Sequence, residues 1–217
     1  MQLVLDFPPC PGAPWKGFIP GTANQEALSW LRSWPHWSNY GLVLQGPPSS
    51  GKTHLGRLWQ EIAGARLLTR EDQATPPTSL GDQPILIDGI SGESWEETWF
   101  FHFLNARKHL SAGLLILDRQ APAAWPFATK DVISRCRALP LISIAEPDEA
   151  LVAALLLALF HKRGITISSE VVQFLSLRLE RTYTAILRAI ELLDAQSLQS
   201  GRPLTVPFLR EMEGILP

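Results

Sequence analysis

A chain of 217 residues is long enough to bury a sizeable core and suggests one domain, or one plus a small appendage. Lys and Arg number 19 against 21 Asp and Glu, so no overall positive charge drives binding to DNA, RNA or an anionic membrane. Two cysteines, Cys10 and Cys136, are too few for a disulfide framework and fit a reducing compartment, so a cytoplasmic protein is expected.

The chain opens MQLVLDFPP, without the basic region and apolar stretch of a signal peptide. Leu3, Leu5 and Phe7 alternate as in a half-buried strand, but Pro8 and Pro9 stop the pattern early and cannot donate to a ladder. Either this segment pairs with the protein's own sheet as an edge strand, or another protein receives it. Residues 1–20 carry five prolines and read as an extended arm that meets the globular body near Phe18.

Asn24 is expected to cap a helix from Gln25 to Trp34. The apolar run GLVLQG comes next, then a helix from Gly51 to about Ala63 and a short strand ARLL. PILID (84–88), a helix over 94–110 and GLLILD (113–118) continue the alternation. A helix from Lys130 to Arg137 and a fifth strand PLISI (140–144) complete it. Strand and helix alternating in this way predict an α/β fold, a parallel sheet sandwiched by helices.

From Pro147 the character changes. The stretches 148–164, 168–179, 181–200 and 204–216 all have helical spacing, with Gly164 and Gly201 at joints. The expected organisation is therefore an arm over 1–20, an α/β domain over 21–145 and a small all-helical domain over 146–217. The longest apolar run, Ala150 to Phe160, has 11 residues, well short of the roughly 20 needed to cross a bilayer; a buried helix and no membrane partner are expected.

GPPSSGKT matches G-x-x-x-x-G-K-[ST] at every fixed position. It comprises Gly46, Pro47, Pro48, Ser49, Ser50, Gly51, Lys52 and Thr53, and His54 adjoins it in the candidate nucleotide-binding set. Such a loop turns backbone N–H groups toward phosphate at a helix N-terminus, with Lys52 on the β- and γ-phosphates and Thr53 on Mg²⁺. Its place between an apolar strand and an amphipathic helix is the context the motif requires. Asp88, ending the buried run ILID, supplies the carboxylate for the metal shell. Gly89 stands next, where many hydrolysing ATPases carry a second acid, and Glu93 reaches the site only if its loop folds back. Weak intrinsic hydrolysis is expected. Trp59, Trp95, Trp99 and Phe100 read as core residues in preference to adenine stackers.

From Phe18 onward, the succession FIPGTANQEAL, GPPSSGKTHL, ILIDGI, FFHFLNARK, ILDRQAP, DVISRCRAL and PDEALVAALL resembles the AAA+ core of the bacterial DnaA initiators, and more closely their short Hda-type homologues. The resemblance implies a P-loop AAA+ sheet followed by a helical lid, with ADP or ATP and Mg²⁺ as ligands. It also implies a regulator of replication initiation that binds the DNA polymerase sliding clamp and stimulates ATP hydrolysis on DnaA in trans. QLVLDF is similar to the clamp-binding peptide Q-L-x-L-x-F, which assigns Gln2, Leu3, Leu5 and Phe7 to clamp contact.

Arg135, in ISRC, matches the arginine finger that such proteins project into a neighbour's nucleotide, and Arg137 competes for the role. Asp118 aligns with the polar sensor after the fourth strand, although a shift of one residue puts Leu117 there. The lid's sensor arginine falls at Thr184, with Arg181 three residues earlier on the same helix face as a substitute. No further DNA-binding domain is expected after the lid, so direct sequence-specific DNA binding is not expected either. A homodimer stays open. Two rival readings remain, a self-sufficient ATPase of the helicase-loader or clamp-loader type, against which Gly89 counts, and a nucleotide-stabilised scaffold without catalytic effect.

Overall fold

The computed structural model describes residues 17–92 and 94–212; the QLVLDF peptide and Glu93 lie outside these. The apolar runs form five parallel strands: β1 (Gly41–Gln45), β2 (Arg66–Leu67), β3 (Ile85–Asp88), β4 (Leu114–Asp118) and β5 (Leu141–Ser143). They lie in the order β2-β3-β4-β1-β5, so β1 sits between β4 and β5 with Gln45 opposite both Asp118 and Ser143. Strands buried on both faces need apolar residues at successive positions, which is why these segments read as runs in the sequence.

Alternate side chains feed two separate cores. Val43, Ile85, Ile87, Leu114 and Ile116 face α3 (Glu97–Leu110) and α4 (Lys130–Arg137), while Leu42, Leu44, Leu86, Leu115 and Leu117 face α1 (Gln25–Arg32) and α2 (Lys52–Ala63). Trp95, Trp99 and Phe100 fill the first core. Trp59 fills the second, stacked on Trp37 at 5.4 Å and edge-on to Trp34 at 5.3 Å.

One helix start and one helix cap differ from the sequence expectation, each for a local reason. α3 begins at Glu97 instead of 94, because the Glu96 carboxylate accepts the N–H groups of Thr98 and Trp99 and so defines the first turn. Asn24 stands at the N-cap of α1, but its side chain turns back. Its Oδ1 accepts from Gly21 N at 2.9 Å and its Nδ2 donates to the Ile19 carbonyl at 3.0 Å, fastening the segment before the helix.

After β5 the chain is helical: α5 (Glu149–Lys162), α6 (Ser169–Ser176), α7 (Tyr183–Ser200) and α8 (Val206–Glu211). Each starts at an oxygen-bearing cap, Asp148, Ser168, Thr182 and Thr205 respectively, whose side chain accepts a backbone N–H of the first turn. Val152, Leu156 and Phe160 of α5 join a core with α6, α7 and α8, while Leu151 points the other way and joins the sheet's second core together with Tyr183. Tyr183 also donates its hydroxyl to the Ala145 carbonyl at 3.1 Å, and Thr22 donates to the Asp148 carboxylate. The helical part is thus fixed against the segment that precedes α1. Among the described residues no helix is long and apolar enough to cross a membrane.

Candidate functional site

Strand β1 ends in a loop whose backbone no ordinary sequence would adopt. Ser49 has φ +62° and Gly51 φ +85°, and a Cβ on Gly51 would stand 2.9 Å from the Phe18 ring, so conformation and space both require glycine there. Gly51 caps α2, whose first residues are Lys52 and Thr53. Lys52 Nζ folds back over the loop, donating to the carbonyls of Gly46 and Pro47 at 2.7 Å each and lying 3.4 Å from the Ser50 hydroxyl.

In front of this turn lies a cavity of about 540 Å³. One wall is Pro48 to Thr53; the other is built from strand ends, with Asp88, Gly89, Ser91 and Gly92 after β3 and Leu117, Asp118 and Arg119 after β4. Burial, reinforced by the Arg119 guanidinium, lowers the Lys52 ammonium below the usual lysine range, against the opposing pull of Asp88 and Asp118. The donor set is what a phosphate chain with a divalent cation requires: the amides of a helix N-terminus, an ammonium, a hydroxyl and one exposed carboxylate, Asp88.

Asp118, the sensor candidate, lines this cavity and is engaged by the protein's own donors. Its carboxylate is 3% exposed and accepts four hydrogen bonds, from Ile90 N (2.6 Å), Ser91 N (2.8 Å), the Ser91 hydroxyl (2.7 Å) and Gln120 N (2.7 Å). Burial raises its pKa, but the donors of Gln120, Ser91 and Ile90 outweigh it and hold the carboxyl below its ordinary value. The group therefore positions the 89–92 turn, which forms one wall of the cavity. Gly89 in that turn has φ +104°, a conformation that disfavours any side chain, acidic ones included.

A second cavity, about 210 Å³, shares Ser49, Ser50 and Gly51 with the first. Its lining is mostly apolar: Phe18 and Ile19, then Leu151, Leu155 and Leu159 of α5, and Tyr183, Ile186 and Leu187 of α7. His54 lies at its edge, parallel to the Phe18 ring at 6.1 Å. A polar slot and an apolar slot that share one loop suit a ligand with a charged end and a flat, apolar end.

The helical segment identifies the relationship. The family model for the Hda lid domain matches residues 148–212, from the cap of α5 to the residue after α8. Domain III of the Thermotoga maritima replication initiation protein DnaA superposes with a TM-score of 0.72 over 88% of this chain and 90% of that one, at 17% identity. Residues 148–212 are an Hda-type lid, on a chain with the AAA+ fold of DnaA domain III. AMPPCP-bound DnaA from Aquifex aeolicus is similar over 84% of this chain and 65% of its own, at 18% identity and a TM-score of 0.69. An uncharacterized protein of Haemophilus influenzae is 32% identical over 124 residues, 57% of this chain. The match spans 53% of that relative's length.

Within the AAA+ fold the expected site residues separate into groups. Pro48, Ser49, Ser50, Gly51, Lys52, Thr53, Asp88 and Asp118 share the polar cavity, Gly46 and Pro47 hold Lys52 through their carbonyls, and His54 lines the apolar one. Arg181 lines neither. It pairs with Glu149 at 3.2 Å on the surface, and the lid turns Tyr183, Ile186 and Leu187 toward the loop. Thr184 likewise lines neither cavity. Arg135 lies apart from both, at the end of α4 with its guanidinium 4.5 Å above the Phe101 ring. Phe18, Ser91 and Arg119 are not among the residues expected from sequence. Phe18 reads there only as the end of the arm, whereas Ser91 and Arg119 lie just beyond recognisable strand ends.

Proposed function

We propose that this AAA+ chain binds ADP or ATP with Mg²⁺ between its sheet and lid and uses the nucleotide as a conformational element while acting on a partner's nucleotide. The phosphates lie along Pro48 to Thr53, Lys52 contacts the β- and γ-phosphates, Thr53 and Asp88 hold the metal shell, and the base enters the apolar cavity beside Phe18 and His54. Support comes from the two cavities that share the P-loop, and from the adenine nucleotide analogue named with the similar Aquifex DnaA. The observation that carries the regulatory reading is the position of Arg135, which lines neither cavity of its own chain and is braced by Phe101. An arginine held rigidly outside its own site is suited to a neighbour's phosphoryl group. Gly89, which offers no acid to the chain's own site, supports the same division of labour.

The partner in this reading is the replication initiator DnaA, with the sliding clamp holding the N-terminal peptide through Gln2, Leu3, Leu5 and Phe7. The combination Leu3→Ala with Phe7→Ala tests it. Short peptides depend on a few anchors, so clamp binding should fall below detection in surface-binding measurements and clamp-dependent stimulation of DnaA's ATP hydrolysis should vanish. Melting temperature should stay within about 2 °C, because the anchors serve the clamp and not the core. An internal strand would instead lose about 2 to 5 kcal/mol for each large side chain removed. Retained clamp binding with a large drop in melting temperature would overturn the assignment.

A further inference from the structure

The start of α4 is held from another helix. Thr129 occupies its N-cap position without a side-chain bond to the first turn. The acceptor comes instead from α3: the Glu97 carboxylate takes the Ala128 N–H on one oxygen at 2.7 Å and the Thr129 N–H on the other at 2.8 Å. Glu96, one residue earlier, serves α3 itself by accepting from Thr98 N and Trp99 N. Two adjacent carboxylates thus divide between two helices. The Ala128 N–H, then the hydroxyl and N–H of Thr129, hold the Glu97 carboxyl below its ordinary value, so it stays an ionised acceptor at neutral pH.

The end of α4 leans on the same helix. Phe101 lies one turn beyond Glu97 on α3, and its ring carries the Arg135 guanidinium at 4.5 Å. Arg135 Nε is buried without a hydrogen-bond partner. Its direction is therefore set by where α4 lies against the Phe101 ring. α4 has eight residues, with Arg135 in the last turn, and at about 12 Å it moves as one piece. We infer that Glu97 is a positioning residue for the trans-acting arginine: by fixing the start of α4 it sets where Arg135 meets the partner's phosphoryl group. The inference rests on the regulatory reading above. Two hydrogen bonds far from the guanidinium matter to the rate because a misplacement of about 1 Å costs about a hundredfold.

Two measurements on the full chain test it, with the parent, Glu97→Ala, Glu97→Gln, Arg135→Ala and the Glu97→Ala, Arg135→Ala combination. The first follows hydrolysis of labelled ATP prebound to DnaA, with DNA-loaded clamp, against protein concentration, at a temperature where every variant is folded. Glu97→Ala should lower the maximal acceleration about tenfold or more and leave the half-saturating concentration within about twofold. Glu97→Gln should retain more of the acceleration, since the amide keeps one acceptor oxygen. In the Arg135→Ala background the same change should cost less than about twofold, because the two residues act as one unit. A residue that only stabilises the fold would leave the maximal acceleration unchanged or would cost the same in both backgrounds, and either result would overturn the inference. The second measurement is amide hydrogen exchange without any partner. Residues 128–137 should exchange about tenfold faster or more in Glu97→Ala, with β1 and β4 unchanged. Unchanged exchange in α4 would overturn the inference whatever the hydrolysis shows. A parent that does not accelerate hydrolysis, or Arg135→Ala that accelerates it as the parent does, would overturn the regulatory reading and the inference with it.

Discussion

Lys52→Ala is expected to weaken Mg-ATP binding about a hundredfold or more, and Mg-ADP, which lacks the γ-phosphate, about tenfold or more. A lysine at this position gives charge-assisted hydrogen bonds to two phosphates, each worth about 1.5 to 3 kcal/mol, and about 1.4 kcal/mol is a factor of ten. The same change removes the donor that Gly46 and Pro47 share at 2.7 Å, so the protein without nucleotide should lose about 1 kcal/mol. The two effects separate in a thermal-shift series. ATP at about a hundred times its Kd for the parent should stabilise the parent by about 2.7 kcal/mol and the variant by about 0.4 kcal/mol or less. Unchanged ADP affinity in the variant would remove the P-loop from the site.

Asp118→Ala should cost about 3 to 5 kcal/mol of folding stability in urea titrations. Its carboxylate satisfies Ile90 N, Ser91 N, the Ser91 hydroxyl and Gln120 N, and deletion strands these donors at a buried strand end. Asp118→Asn should recover only part of the loss, since the amide keeps one acceptor oxygen of two. The pH dependence has a definite sign. The folded protein holds this carboxyl below its unfolded value, so its contribution is present above the ordinary carboxylate range near 3.9 and disappears as pH falls through the folded value. The parent should therefore lose more stability on acidification than Asp118→Asn does. A loss below about 1 kcal/mol for Asp118→Ala would show that the 89–92 turn stands without it.

These two residues mark the boundary of what is legible in the sequence. The P-loop is local: its glycines, Lys52 and Thr53 act through backbone geometry within eight consecutive residues, and an apolar strand and an amphipathic helix flank them. The central strands are legible for a similar reason, because burial on both faces leaves a continuous apolar run. Asp118 is recognisable as a polar strand end, but its role is not. Its partners Ile90 and Ser91 lie 28 and 27 residues away and come together only through the pairing of β3 with β4. Arg181 shows the converse difficulty. Helical spacing puts it one turn from the sensor position, but spacing says nothing of Glu149, 32 residues earlier, which pairs with it. Asn24 is legible as a helix-boundary residue, yet its side chain serves the chain before the helix, fastening Ile19 and Gly21 close to the apolar cavity. Arg119 carries a usable signal in its position, the first residue past a strand that ends beside the P-loop strand, since such residues face the ligand in parallel sheets.

In the function proposed above, Arg135 acts on another protein's nucleotide. The most direct measurement is the rate of hydrolysis of labelled ATP prebound to DnaA, in the presence of DNA-loaded clamp, with the parent chain or with Arg135→Ala. The parent is expected to accelerate this hydrolysis, and Arg135→Ala to lose at least about a hundredfold of the acceleration, the scale on which arginine fingers act. Clamp binding and ADP affinity should stay unchanged, because Arg135 lies outside both cavities. Acceleration by Arg135→Ala equal to that of the parent would show that Arg135 does not reach the partner's nucleotide.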